Sequence, residues 1–318
     1  MTAHEKKLSK LASFYEHIVP PAAPEETHFR HSHWQARRSL ILKYLREQNT
    51  GIITINRFEE CGSGCVIEWS EELQRHRIAA SYCHSRHCEP CMRAKGNKIA
   101  ANLRTRIQDD TNNTYRFITL TLRHRDAPLR NQIERLYASF KKLRASKEWK
   151  NSQTGGAAIL EVKWNTDTNT WHPHLHVISA GNFLDKHDLS RLWHRATGDS
   201  FIVDIKAMKN SADVCHYVSK YVAKGTSPTV WESAETAHEW ICASKGVRTC
   251  ATFGTWRGYA LTANHQTAKD WKPIASYVSI LAAARRAELW AIGILQSICP
   301  SEDPEEIRCK YVMDTGDG

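Results

Sequence analysis

Three histidines stand at every second residue in WHPHLHVI, positions 171–178, among bulky apolar side chains. Side chains alternate between faces along a strand, so His172, His174 and His176 share one surface while Leu175 and Val177 take the other. The polar run NTDTNT separates this segment from AAILEVKW at 157–164. A hairpin turning near Asp167 and Thr168 would set Trp164 opposite Trp171 and Glu161 opposite His174. Two imidazoles and a carboxylate make a three-ligand set that leaves coordination positions open for water and substrate. His174, His176 and Glu161 are therefore the expected ligands of a catalytic Mg2+ or Mn2+, with Mn2+ the better match to imidazole nitrogen. His172 is the alternative to Glu161, although Pro173 beside it favours a strand start or edge. A binuclear hydrolase pattern H-x-H-x-D-H fits less well, because Ile178 stands where the aspartate is needed.

A second constellation follows in HYVSKYVAKG, 216–225, where Tyr217 and Tyr221 are four residues apart and Lys220 and Lys224 repeat the spacing. On a helix each pair lies about one turn apart on a common face. A phenol with a reference pKa of about 10 is protonated at neutral pH and is a weak nucleophile. A metal that withdraws charge from a phosphate, helped by ammonium groups, would assist its attack on phosphorus. Beside a metal-bearing sheet, this helix suits phosphodiester transesterification; alone, the same spacing describes ordinary amphipathic packing.

Five of the ten cysteines fall between positions 61 and 91. Cys83, Cys88 and Cys91 offer three soft ligands to a structural Zn2+, the last two at C-x-x-C spacing. A fourth comes from Cys61, Cys65, His84 or His87. The segment MRAKGNKIAANLRTR after them carries Arg93, Lys95 and Lys98, suited to phosphate neutralisation without base choice or to a solvated basic face. Lys plus Arg outnumber Asp plus Glu by 44 to 34 in 318 residues, and a net charge of +10 favours a polyanionic partner. The first residues lack the apolar core of a secretory signal, and the apolar stretch 277–295 is interrupted by Arg285, Arg286 and Glu288. We therefore expect no membrane partner, a cytoplasmic location, and metal rather than disulfides at the clustered cysteines.

The elements that must position these groups follow from periodicity. YRFITLTLR (115–123) reads as a strand, IERLYASFKKLR (133–144) as a helix, and the hairpin comes next. LDKHDLSRLWHRATG (184–198) reads as a helix with Asp185 as N-cap and Gly198 as stop; FIVDI (201–205) is a strand, and a last helix spans 211–224. Strand, helix, strand, strand, helix, strand is the ferredoxin-like split βαβ order, an α+β fold with an antiparallel sheet and helices on one face. Thr119 and Thr121 on the first strand stand near the site, where they could hold a phosphodiester substrate. The stretch 277–295 reads as an amphipathic or core helix.

Together FITLTLR, HPHLH and YVSKYVAK resemble the three motifs of the HUH endonuclease superfamily, in particular the rolling-circle replication initiators (Rep proteins) of plasmids. His174-Leu175-His176 is similar to the His-hydrophobic-His element, and Glu161 matches the acidic residue of the preceding strand. Cys83 to Cys91 resembles the C-x-x-R-x-C-x-x-C element found before the nuclease core in many such proteins. Cys61 matches their isolated upstream cysteine, which makes it the preferred fourth zinc ligand, with Cys65, His84 and His87 as alternatives. The resemblance runs from Arg57 to Gly225. It implies a nick in single-stranded origin DNA, a tyrosine joined to the 5′-phosphate, and a free 3′-OH for a host DNA polymerase, with a host helicase as further partner. Tyr221 aligns with the nucleophile. Tyr217 stands where some Rep proteins carry glutamate; a tyrosine at that place resembles the replication proteins of small isometric phages and Helitron transposases, which implies two alternating covalent transfers.

The implied organisation is an N-terminal adaptor at 1–56, a zinc module with its basic helix at 57–112, a nuclease domain at 113–226 and a helical C-terminal region at 227–318. In the last, WESAETAHEWICASKG and FGTWRG carry no assigned role. Rival readings are a transposase with the same core and a non-catalytic zinc-containing DNA-binding regulator. A conjugative relaxase fits less well, since those enzymes resemble this pattern only with an N-terminal tyrosine and a third histidine.

Overall fold

A computed structural model describes residues 34–62, 64–110, 113–208, 226–263 and 270–298. In chain order its elements are α1 (Trp34–Glu47), α2 (Ile52–Glu59), β1 (Val66–Ser70), β2 (Arg75–Ala79), α3 (Glu89–Gln108), β3 (Thr114–Thr121), α4 (Leu129–Ala145), α5 (Lys147–Ser152), β4 (Gln153–Asn165) and β5 (Thr170–Gly181). Then come α6 (Lys186–Thr197), β6 (Val203–Met208), a 3-10 turn (Pro228–Trp231), α7 (Ala234–Ala243), β7 (Cys250–Gly254), β8 (Trp271–Ser276), α8 (Tyr277–Arg285) and α9 (Leu289–Ile298). They form two compact units. The helix expected at 211–224 lies outside the described residues.

The larger unit is built on an antiparallel sheet of order β6-β3-β5-β4-β7. With β3 to β6 as the four core strands, the order is 4-1-3-2, the ferredoxin-like arrangement, and β7 is added at the β4 edge. Local chemistry sets its boundaries. Asn165 Oδ1 accepts from the backbone N–H of Asp167 at 2.9 Å and of Thr168 at 3.2 Å, and Asn169 takes φ 50, which closes the β4–β5 hairpin. The Asp185 carboxylate caps α6 by accepting from the N–H groups of His187 and Asp188, and Gly198 ends it at φ 84.

One sheet face carries Ile118 and Leu120 of β3, Leu175 and Val177 of β5, and Ala158 and Leu160 of β4, all buried and mutually in register. Helix α4 packs on β5 and on α6, bringing Leu129, Ile133, Leu136, Leu189 and Trp193 into the core. Helices on this face match the expectation. The opposite face also receives one: Ile99, Leu103 and Ile107 of α3 pack with Tyr115, Phe117, Ile159 and Ile178. Each fully buried aliphatic side chain contributes about 1.5–3 kcal/mol. That stripe decides which side of α3 meets the sheet, and it turns Arg93, Lys95 and Lys98 outward.

Beyond residue 227 the chain is not helical alone, because it supplies β7 and β8 as well. FGTWRG is a docking segment. Phe253 sits edge-on to Phe140 at 5.4 Å, and Trp256 is buried in the α3 cluster. Between them Gly254 has φ 61, and a Cβ there would collide with the Thr154 carbonyl.

In the smaller unit β2, β1 and β8 form an antiparallel sheet. Ile67 and Ala275 join Tyr277, Ile280, Leu281 and Leu295 of α8 and α9 in its core. The Arg77 guanidinium stacks over Trp271 at 4.1 Å. The single helix expected across 277–295 is two, because the charged stretch from Arg285 to Glu288 reaches solvent through a left-handed turn at Ala287, φ 58.

Gly254→Ala should lower unfolding free energy by about 1–3 kcal/mol, since it forces an L side chain into a strained backbone and against a carbonyl. Urea titration measures this; a variant as stable as the parent would mean that β7 docks without the close approach.

Candidate functional site

The hairpin register is the one the sequence implies: Glu161 lies opposite His174, and Trp164 opposite Trp171. On the other side of β5, His176 pairs with Thr119 and His174 with Thr121. Five side chains from three adjacent strands therefore share one face. His176 is 3% and Glu161 4% exposed, while His174 is partly buried. His176 Nε2 donates to Glu161 Oε2 at 2.8 Å, and the Lys163 ammonium lies 3.4 Å from the same oxygen. Burial works against the Glu161 charge, but the His176 hydrogen bond and Lys163 hold its carboxyl below the usual carboxylate range.

Both threonines meet imidazoles with their hydroxyls. Thr119 Oγ1 meets His176 Nδ1 at 3.2 Å, and Thr121 Oγ1 meets His174 Nδ1 at 3.1 Å. A hydroxyl both donates and accepts, so each threonine serves either imidazole tautomer and fixes the ring's orientation. Phe117 stacks on His176 with centroids 5.5 Å apart, and the His174 and His176 rings are nearly parallel at 6.3 Å. Among the described residues, His174 Nε2 is buried with no hydrogen-bond partner.

Burial pushes the His174 imidazole down to about 3, with the neighbouring His172 adding to the shift. Burial and His124 bring His172 to about 4. Both rings are therefore neutral at neutral pH and keep a nitrogen lone pair, the form a metal takes. Two neutral imidazoles, an ionised carboxylate and one orphaned nitrogen suit a divalent cation. They are not gathered as tightly as the cysteines, which are the one group among the described residues whose donor atoms all lie within 4.8 Å of one another.

That group is Cys61, Cys83, Cys88 and Cys91. Tetrahedral Zn–S bonds of about 2.3 Å need sulfurs about 3.8 Å apart, so a small contraction suffices. The Cys83 N–H donates to Cys61 Sγ at 3.4 Å. Cys65, His84 and His87 are outside the group. Burial, with Cys61 nearby, pushes the Cys65 thiol up to about 12. His87 is edge-on to Trp231 and Trp240.

Arg93, Lys95 and Lys98 are exposed on α3, with Arg93 paired to Glu89 at 3.2 Å. Tyr217, Tyr221, Lys220 and Lys224 lie outside the described residues. Sequence reasoning missed Lys163 and Phe117, although strict alternation from Glu161 and Thr119 puts both on the histidine face. It also missed His124, stacked on His172 at 3.7 Å, and Glu239. Glu239 accepts from Trp171 Nε1 and from the Leu129 N–H, each at 2.6 Å, so WESAETAHEWICASKG braces β5 and the start of α4. No local signal marks these two.

The depressed imidazoles make stability depend on pH. The unfolded chain takes up their protons near 6.5, whereas folded His172 and His174 stay neutral to about 4 and 3. Their contribution is thus complete above pH 6.5 and is lost as pH falls towards 3. His174→Gln should flatten the fall in urea midpoint between pH 7 and 4.5; an unchanged slope would contradict the desolvation of this ring.

A family model described as replication protein matches residues 74–274. The chain is 29% identical over 173 residues to Protein rep of Bacillus amyloliquefaciens, covering 50% of this chain and 51% of that protein. It is 30% identical over 149 residues to Protein rep of a Bacillus species, covering 42% and 48%, and 24% identical over 205 residues to that of Staphylococcus aureus, covering 59% and 90%. The match thus spans about half the length of the two Bacillus relatives. No solved structure matches the chain significantly.

Proposed function

The chain belongs to the replication protein family, and on that premise we propose that it initiates rolling-circle replication of a plasmid by nicking one strand of origin DNA with a tyrosine. The observation that carries this reading is the row of His174, His176 and Glu161 on one buried sheet face, with His174 Nε2 left without a partner among the described residues. These three side chains would hold Mg2+ or Mn2+. When bound, such a cation withdraws charge from a phosphate oxygen. Thr119 and Thr121 hold the two rings by Nδ1, and Lys163 adds positive charge beside the carboxylate. The neutral His174 imidazole keeps its donor nitrogen available without first losing a proton.

Tyr221 is the nucleophile in this reading. Its phenol gives up a proton, the oxygen bonds to phosphorus, the P–O3′ bond breaks, and the leaving oxygen is protonated to a 3′-OH that primes a host polymerase. Tyr217 carries out the second transfer, and Lys220 and Lys224 favour the phenolate. Thr226, five residues after Tyr221 in the sequence, pairs with Val162 next to Glu161. Five residues of chain reach at most about 17 Å, which supports the tyrosine's access to this face.

Incubation with a single-stranded origin oligonucleotide and Mn2+ should give a protein–DNA adduct that survives denaturation. Peptide mapping should identify Tyr221. Tyr221→Phe should reduce first nicking at least 100-fold, while Tyr217→Phe spares it and impairs rejoining. A binding-only regulator would give no adduct under any condition, and that result would end the nuclease reading.

The cysteine group is proposed as a structural zinc site. Cys88→Ser should lose one equivalent of zinc by elemental analysis; retention of the full equivalent would place zinc elsewhere.

A further inference from the structure

The larger unit contains a cavity of about 550 Å3 under α3, lined by Arg86, Lys95, Arg248 and Arg257 together with Met92 and Tyr259. The lining among the described residues carries no carboxylate, and Lys95, Arg248 and Arg257 make no ion pair there. Arg86 donates to the carbonyls of Ser244 at 2.5 Å and Val247 at 3.1 Å, which ties the loop bearing Arg248 to the start of α3. Several cations facing one concave space repel each other unless an anion joins them. The volume lies within the range of about 300–1000 Å3 usual for ligand sites.

The lining is amphiphilic rather than purely cationic. Guanidinium and ammonium groups suit phosphate oxygens, whereas Met92 and Tyr259 present apolar surface to a base or sugar. Position in the sheet adds the decisive constraint. Cys250, on the cavity wall, pairs with Ile159, and Ile159 pairs with His176. Two interstrand spacings, about 10 Å, therefore separate the cavity wall from the histidine row. A nucleic acid strand whose phosphate sits at the histidines continues within reach of the cavity.

We propose that this cavity is a second subsite for the single-stranded DNA, holding a nucleotide that flanks the scissile phosphate. The proposal rests on the nuclease reading for the strand's identity but not for the cavity's chemistry. Neither Arg248 nor Arg257 belongs to the metal or tyrosine machinery, and both are exposed, so their removal leaves the core intact.

The experiment measures fluorescence anisotropy of a labelled single-stranded origin oligonucleotide against salt, for the whole protein and for Arg248→Ala/Arg257→Ala. Single-strand binding loses about 0.7 of log–log salt slope per phosphate contact removed. The double variant should lower the slope by about 1.4 and weaken binding at least tenfold. Lys141→Ala/Lys142→Ala makes the same charge change on α4, which packs against the other sheet face, and should leave the slope nearly unchanged. An oligonucleotide carrying 5-iodouracil beside the nick should photocrosslink to a peptide containing Tyr259. Equal slopes for both double variants, or crosslinks only outside residues 84–262, would overturn the subsite. Adduct formation by the parent protein is scored separately: its absence removes the nuclease reading, while the salt slopes still decide the cavity.

Discussion

The position of β5 between β3 and β4 governs the site more than any single side chain does. Because side chains alternate and both neighbouring strands are antiparallel, one register brings Thr119 to His176, Thr121 to His174 and Glu161 to His174 at the same time. A slip of one residue in either pairing would turn the histidines into the α4–α6 core and Leu175 and Val177 onto the polar face that holds Glu161, Thr119 and Thr121. The burial of those two aliphatic residues therefore holds the imidazoles in place. The polar row is positioned by apolar chemistry on the other side of the sheet.

Burial also sets the protonation state. Packing of α3 across the end of the histidine face leaves His176 and Glu161 nearly inaccessible, which makes their hydrogen bond strong and an unpaired charge there costly. The outcome is a neutral His174 ring next to an ionised carboxylate. The threonine hydroxyls, able to donate or accept, let His176 exchange the tautomer that serves Glu161 for one whose Nε2 is free. A valine in place of Thr119 would have nearly the same shape and lose that exchange.

The peripheral elements act as braces. Glu239 on α7 joins the indole of Trp171 to the first turn of α4, and β7 closes the β4 edge while its Phe253 fills the space beside Phe140 and Trp149. Arg86 in the cysteine-rich loop ends on two carbonyls of the segment after α7.

Local physics was readable before any coordinates. Two-residue alternation gave the histidine face, the turn near Asp167 and Thr168 gave the hairpin register, and Asp185 and Gly198 marked the limits of α6, since each depends on residues a few positions apart. Cysteine spacing identified three members of the sulfur group in the same way. What required the tertiary structure were contacts between distant segments. The cover of α3 over the histidine face, the insertion of Gly254 against Thr154, the reach of Glu239 to Trp171 and the convergence of Arg86, Lys95, Arg248 and Arg257 are of this kind. No short-range pattern encodes them, because burial energy depends on which surfaces finally meet rather than on the order in which they are strung.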